Sequence, residues 1–294
     1  MAINFSFSAT GTSRFAQVIG QQGSRFLIGK EVVYDKVFHG LANESVSAGN
    51  IYDPKAFVGQ HGFWAYFIMP TAKGESNYSF LCLNSYDRAQ FTFGFMQYAA
   101  HVPNGDFVVF LKRLLALPDA GEYFPKLVLQ NNRIFYRGST GALSQLENDV
   151  SSQALMNYLN PSLNDVEGQE LICAARMVHW ATNDPSNRTL QVQLAIDNFK
   201  QYMHLYSKRF NLDGFPDRVC QMVCDIKHQG RARDQAIVDA LNTNGNFDLA
   251  FSRLQQLGKP KYGNRISAVS SVITKLVAAG IFGKKYDAVQ NDFA

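Results

Sequence analysis

Residues able to do chemistry concentrate in Asn84–Gln97, which reads Asn-Ser-Tyr-Asp-Arg-Ala-Gln-Phe-Thr-Phe-Gly-Phe-Met-Gln. The stretch sets an acid, Asp87, in a turn-like sequence. A hydroxyl, Thr92, follows five positions later on an expected strand, and Gly94 two residues after that. A second carboxylate, Glu44, stands upstream. Two carboxyl groups in different environments can divide acid–base work: one stays protonated and donates, the other is ionised and takes a proton from water. Thr92 lies between Phe91 and Phe93, so strand alternation expects its hydroxyl on the opposite face, where it could orient that water. The plainer reading makes Thr92 an ordinary β-branched strand residue.

The elements that would position these groups follow from periodicity. Between Lys30 and Ser45 the apolar Val33, Val37, Phe38 and Leu41 keep helical spacing, and Glu44 continues that stripe. A helix here would deliver the Glu44 carboxyl from its C-terminal end. There the dipole and partial burial would both push its pKa upwards. The alternative is a carboxylate that frays into solvent before Gly49. Residues 62–71 and 78–83, dense in aromatics around Lys73–Asn77, predict a hairpin, and 87–94 a third strand. Helical spacing resumes from Phe95 through Ala100.

The lead-in, residues 1–29, is polar and Gly/Ser-punctuated, with Ile3, Phe5 and Phe7 alternating like a short strand. Beyond the motif a helix is expected over about 106–117, and a hairpin pairs 127–129 with 134–136. Helices are expected over 150–159, 165–182, 188–210, 215–229, 232–242, 247–257 and 264–279. The expected architecture is α+β, mainly α: one catalytic body from 30 to 294, with a small-sheet lobe over about 46–100 and a helical lobe over about 101–294.

Composition bounds the function. The chain has 294 residues, 46% apolar and only 18% charged, which excludes a disordered chain. A net charge of +4 would aid approach to an anionic polymer. The basic residues are scattered and do not alternate with aromatics, so no nucleic-acid partner is expected. The N-terminus lacks a basic segment followed by a long apolar one, and no apolar stretch has the length of a membrane span. The expectation is a chain made in the cytoplasm, without membrane insertion, which acts at the bacterial cell wall or periplasm after release or injection. An immunity or delivery protein would be its protein partner.

Other candidates carry weaker patterns. Glu75-Ser76, with Gly94-Phe95-Met96-Gln97, is similar to the Glu-Ser … Gly-Leu-Met-Gln pattern of lytic transglycosylases. Against it, Glu75 falls in the expected hairpin turn and Pro70 in what would be the preceding helix. Cys220, Cys224 and His228 fall at i, i+4 and i+8 of one helix face. Three ligands over two turns spread about 12 Å, too far for one ion. No metal and no cofactor is expected, and the four cysteines read as reduced, buried thiols.

At Asp87 the chain resembles the chitosanase branch of the lysozyme-like glycoside hydrolases, whose pattern is Asp-x-x-x-aromatic-Thr-x-Gly; here it stands as Asp87-Arg88-Ala89-Gln90-Phe91-Thr92-Phe93-Gly94. The resemblance implies a two-lobed lysozyme-like fold, Asp87 as general base, Thr92 holding the attacking water and Glu44 as general acid. It extends to Cys224–Gly230, which brings in His228, though His and Gln are exchanged there, Arg88 comes one position early and the gap from Glu44 to Asp87 is long. Arg88, Gln97, His101, Tyr66 and His228 make up the expected substrate-binding set. The reaction implied is inverting hydrolysis of a β-1,4 glycosidic bond. Peptidoglycan is favoured over chitosan, because a mildly basic protein approaches an anionic wall more readily than a polycation. The origin would be a phage lysis enzyme or an effector injected into rival bacteria. The alternatives are a chitosanase, a lytic transglycosylase using Glu75, or a non-catalytic glycan-binding structural protein.

Overall fold

The structure, a computed structural model, describes residues 2–47 and 49–294. Strands β1 (Phe5–Thr10), β2 (Ser13–Val18), β3 (Phe26–Tyr34) and β4 (Phe38–Asn43) come first. Helices α1 (Val58–His61), α2 (Phe63–Phe67) and α3 (Met69–Ser76) interrupt them, and the short strands β5 (Leu83–Asn84), β6 (Thr92–Phe93) and β7 (Tyr98–Ala99) resume. Next are α4 (Asp106–Leu115), α5 (Ala120–Tyr123) and strands β8 (Leu127–Gln130), β9 (Arg133–Arg137) and β10 (Leu143–Gln145). Helices then dominate: α6 (Gln153–Leu159), α7 (Gly168–Asn183), α8 (Pro185–Phe210), α9 (Asp217–Gln229), α10 (Asp234–Leu241), α11 (Phe247–Leu254) and α12 (Lys259–Ala278). The small pair β11 (Tyr286–Asp287) and β12 (Asp292–Phe293) follows.

The class is α+β, with antiparallel strands and helices largely segregated along the chain. The chain divides into two units: Met1–Tyr52 with Ser79–Val192, and Asp53–Tyr78 with Gln193–Ala294. The first unit holds a seven-stranded antiparallel meander in the order β1 to β7, and a three-stranded sheet β10-β9-β8. Its core gathers Phe91, Phe93, Phe95, Phe107 and Phe110, all fully buried; each such ring contributes about 1.5–3 kcal/mol by leaving water. The second unit is helical apart from β11 and β12. Trp64 and Phe67 pack there against Phe293, with ring centroids 5.4 and 4.8 Å apart.

Several expectations are corrected. Residues 5–18 of the expected lead-in form β1 and β2, and β2 pairs with β3. The expected helix over 30–45 is the β3–β4 hairpin. Asp35 and Lys36 both take positive φ, 50° and 59°, in a tight turn that suits strand twist. The run is β-branched and aromatic, and Val33 and Val37 are exposed, so the helical spacing was coincidental. Glu44 therefore follows a strand and is exposed. Neither the helix terminus nor the burial expected of Glu44 is present.

The expected hairpin over 62–83 is helical in its first part. Pro70 lies in the first turn of α3, where its missing N–H costs nothing. Glu75 is thus on a helix, and both sequence objections to it fall away. The expected helix over 95–100 is the turn into β7: Gly94 has φ 91° and Gln97 φ 54°. A Cβ on Gly94 would meet the Gln191 amide oxygen at 2.5 Å, so the position is closed to larger residues. The α4 helix, the β8–β9 hairpin and the helices after 150 match their expected places within a few residues.

Candidate functional site

The β3–β4 hairpin and the Asn84–Gln90 turn build a groove in the first unit. Lys30, Val32 and Tyr34 alternate onto one face of β3, and their partners on β4 are Ala42, Gly40 and Phe38. Glu44 continues that face two residues beyond Ala42. Gly40 is bare for a reason: a Cβ there would lie 2.6 Å from the Ser85 carbonyl carbon and 2.7 Å from the Tyr86 nitrogen. The turn after β5 crosses directly over Gly40, and this lays Tyr86 beside Tyr34, ring centroids 5.7 Å apart. One cleft of about 560 Å³ includes Lys30, Tyr34, Glu44 and Tyr86. A second of about 390 Å³ includes Tyr34, Asp87, Arg88 and His101. Tyr34 borders both.

Each carboxylate sits on a braced turn. The Asn43 side chain donates to the Ile28 carbonyl at 2.9 Å and accepts from the Ser45 N–H at 3.0 Å, an Asx turn around Glu44. Ser79 donates to the Ser45 carbonyl at 2.7 Å. Asp87 makes its own Asx turn: Oδ1 accepts from the Ala89 N–H at 2.8 Å and Oδ2 from the Asn84 amide at 3.0 Å. Asn84, whose amide holds Asp87, pairs with Ala42, two residues before Glu44 in the chain. Burial pushes the Tyr86 phenol up first, and the charges of Glu44 and Asp87 push it further. The two carboxylates thus flank one tyrosine.

The Asp87 turn is anchored from beneath. Asn160 donates to the carbonyls of Ser85 (2.8 Å) and Gln90 (3.1 Å), while Gln90 donates back to the Asn160 carbonyl at 3.2 Å. The Ser85 hydroxyl accepts from the Leu41 N–H at 2.7 Å and contacts a carboxyl oxygen of Glu170 on α7. Sequence reading missed Gly40, Ser85, Tyr34, Tyr86, Asn160 and Glu170. A hairpin reading of β3–β4 could have found Gly40 and Tyr34, but not Ser85 and Tyr86, which lie in the turn after β5. Glu170 reads as an ordinary acid in the first turn of a helix and gave no signal.

The other expected residues divide. Thr92 faces Asn84 and Ala99 in the sheet but is only 5% exposed, so it is not the cleft-facing hydroxyl that alternation predicted. The Gln97 amide is spent on its own turn, donating to the carbonyls of Gly94 and Cys82. Arg88 and His101 are exposed at the second cleft. Tyr66 and His228 belong to the other unit. Tyr66 borders an apolar cavity of about 460 Å³ with Met69, Tyr78 and Leu276.

His228 enters a buried ion network with Glu75 (3.2 Å). Arg265 bridges Glu75 and Asp225, 2.8 Å from each, and Arg231 closes on Asp225. Burial pushes the Glu75 carboxyl up, but His228 and Arg265 outweigh it and hold its pKa below the ordinary value. That is the wrong direction for a general acid. Cys220 and Cys224 are buried free thiols pushed well up by desolvation.

The chain matches no protein-family model, no curated protein and no solved structure. Among the described residues no helix is long and apolar enough to cross a membrane.

Proposed function

We propose that the Tyr34–Tyr86 groove binds a polysaccharide and hydrolyses its β-1,4 bonds, with Glu44 as proton donor and Asp87 as the base that activates water. The single observation carrying this reading is that Glu44 and Asp87 line neighbouring clefts that share Tyr34, and that both charges act on Tyr86. The exposed Tyr34 and the half-buried Tyr86 beside it supply a flat apolar surface on which sugar rings stack. The Asp87–Gly94 motif supports the lysozyme-like, two-lobed assignment and its chitosanase branch. The positive net charge favours peptidoglycan as substrate.

A second reading has its own observation. Both Asp87 oxygens already accept hydrogen bonds within the turn, which favours a groove that binds glycan without cleaving it. The lytic-transglycosylase alternative loses support, because Glu75 is held ionised by its cationic partners.

Digestion of purified peptidoglycan, and then of chitosan, by wild type, Glu44→Gln and Asp87→Asn separates the readings. Products with new reducing ends from wild type alone support the hydrolase. Anhydro-sugar products would return the assignment to Glu75. Binding that survives in all three proteins without product would establish the non-catalytic reading.

A further inference from the structure

A buried carboxyl stands behind the groove and touches none of it directly. Glu170 is fully buried on α7, and its Oε1 meets the Ser85 hydroxyl. Ser85 Oγ also accepts from the Leu41 N–H at 2.7 Å and lies 3.3 Å from the Leu41 carbonyl. Ser85 is therefore the junction of three elements: the β5–β6 turn that carries Asp87, the strand β4 that leads to Glu44, and the helix α7.

Counting protons decides how this junction works. A hydroxyl has one hydrogen to give and two lone pairs to fill. If Glu170 is a neutral acid, its O–H donates to Ser85 Oγ, the Leu41 N–H fills the second lone pair, and the Ser85 hydrogen goes to the Leu41 carbonyl. All four groups are then satisfied. If Glu170 is ionised, the Ser85 hydrogen must turn to the carboxylate and its 3.3 Å bond to the Leu41 carbonyl is lost, so that carbonyl keeps only the Ser85 N–H at 3.0 Å, and a charge stands in the interior. The second oxygen, Oε2, is buried without a partner in good hydrogen-bond geometry among the described residues, and the backbone at Leu41 and Glu167 favours the ionised form less than burial disfavours it.

We propose that Glu170 is a positioning residue of the groove: as a neutral acid it locks Ser85 onto β4, and so fixes the Asp87 turn over Gly40 relative to Glu44. This rests on the groove being the functional site, although the lock itself is a property of the turn. Desolvation is the main cause of a pKa pushed up to about 7, opposed by the bond from Ser85 and by the backbone at Leu41 and Glu167. The charges facing Glu170 do not favour ionisation. Glu31 on β3 raises it further, although Arg14 on β2 pairs with Glu31. Cys173, one turn along α7, is itself an acid pushed up to about 12. The groove is thus held tightest at and below neutral pH and loosens as Glu170 loses its proton.

Amide hydrogen exchange of the segment 84–91, corrected for the intrinsic pH dependence of exchange, tests this without any substrate. In wild type the protection should fall between about pH 6 and about pH 8.5, by at most roughly 10-fold, the linkage expected for a group titrating near 7 in the closed state. Glu170→Gln keeps a donor for Ser85 and no titration, so its protection should be high and flat across the range. Ser85→Ala, which leaves Glu170 in place, should be weakly protected at every pH and show no pH dependence. Protection that stays flat in wild type, or falls equally in Glu170→Gln, overturns the proposal. If Glu170→Gln does not fold, a pH-dependent loss in wild type that disappears in Ser85→Ala still supports it, and its persistence there overturns it. Glycan digestion on the same proteins reports separately on the groove: no products with a normal exchange response would sink the hydrolase reading and leave the lock standing.

Discussion

Two buried polar clusters, one in each unit, solve the same problem in opposite ways. Beneath the Asp87 turn the groups are neutral: Ser85, Asn160, Gln90 and backbone carbonyls, with Glu170 as the one carboxyl. Between α3, α9 and α12 the groups are ionic: Glu75 and Asp225 against His228, Arg231 and Arg265. Burial is the largest force on all three carboxyls and pushes each upwards. Glu170 goes up because no cation meets its carboxyl. Glu75 and Asp225 go down because guanidinium groups or an imidazole meet theirs. The difference teaches that burial does not fix a charge state; the partner does. It also separates roles: a network of full charges is rigid over a wide pH range, while a single buried acid near neutrality can respond to pH.

Breaking the ionic cluster should cost most. Asp225→Asn leaves Arg231 and Arg265 facing each other in the interior without their shared anion. Denaturant unfolding should show a loss of about 3–5 kcal/mol, the usual cost of orphaning a buried charge. Glu170→Gln should do the reverse. A folded pKa raised to about 7 from an ordinary 4.5 means the native state binds more protons than the unfolded state between those values. Wild-type stability therefore falls as pH rises through that window and levels off above it. The shift corresponds to about 3 kcal/mol. The variant should match wild type at low pH and exceed it by up to about that amount above neutrality. A loss of stability at pH 8 in both variants would abolish the contrast between the clusters.

Much of this was open to sequence reading, and the part that was not has a physical cause. Helices after 150 carry long amphipathic repeats, so their places were legible to within a few residues. The β8–β9 hairpin was legible through Asn131 and Asn132, both of which take positive φ. The stretch over 30–45 failed because four apolar residues at helical spacing also satisfy a hairpin, and only the contact of Gly40 with a turn far along the chain decides between them. The aromatic run Phe63–Phe67 failed for the converse reason: its strand-like composition is overridden by burial in a helical unit. The turn at Asp87 and Arg88 was legible because a turn sequence announces itself locally, and the structure places both beside His101 in one cleft. Glu170 and Asn160 were not, since what makes them matter is a contact with residues distant in the chain.

Gly40→Ala probes the geometric half of the neutral cluster. A Cβ 2.6 Å from the Ser85 backbone cannot be accommodated by a rotamer change. The turn must lift, and the expected cost is about 1–3 kcal/mol, as for other overpacked sites. A smaller loss, with the Tyr34–Tyr86 ring contact intact in a structure of the variant, would mean the crossing is looser than drawn.

The smallest effect belongs to the weakest member of the ionic cluster. The Glu75–His228 contact is 3.2 Å long, and Glu75 keeps Arg265 at 2.8 Å when the imidazole is removed. His228→Gln should therefore cost only about 1.5 kcal/mol, the lower end for a hydrogen bond to a charged group. Its pH dependence carries the sharper test. Burial pushes the His228 imidazole down, but its bond to Glu75 and that carboxylate's charge raise it above 6.5. Its contribution is thus complete below pH 6.5 and lost as pH climbs through the raised folded value. Glu75, held below 4.5, contributes fully above pH 4.5 and loses its share as pH falls through its depressed folded value. The gap between wild type and His228→Gln should be widest between pH 4.5 and 6.5 and close on the alkaline side, where Glu75 is still paired with Arg265. A gap that stays constant up to pH 9 would mean the imidazole stabilises by packing against Phe199, 6.0 Å away, rather than by charge, and the ionic cluster would then consist of Glu75, Asp225 and the two arginines alone.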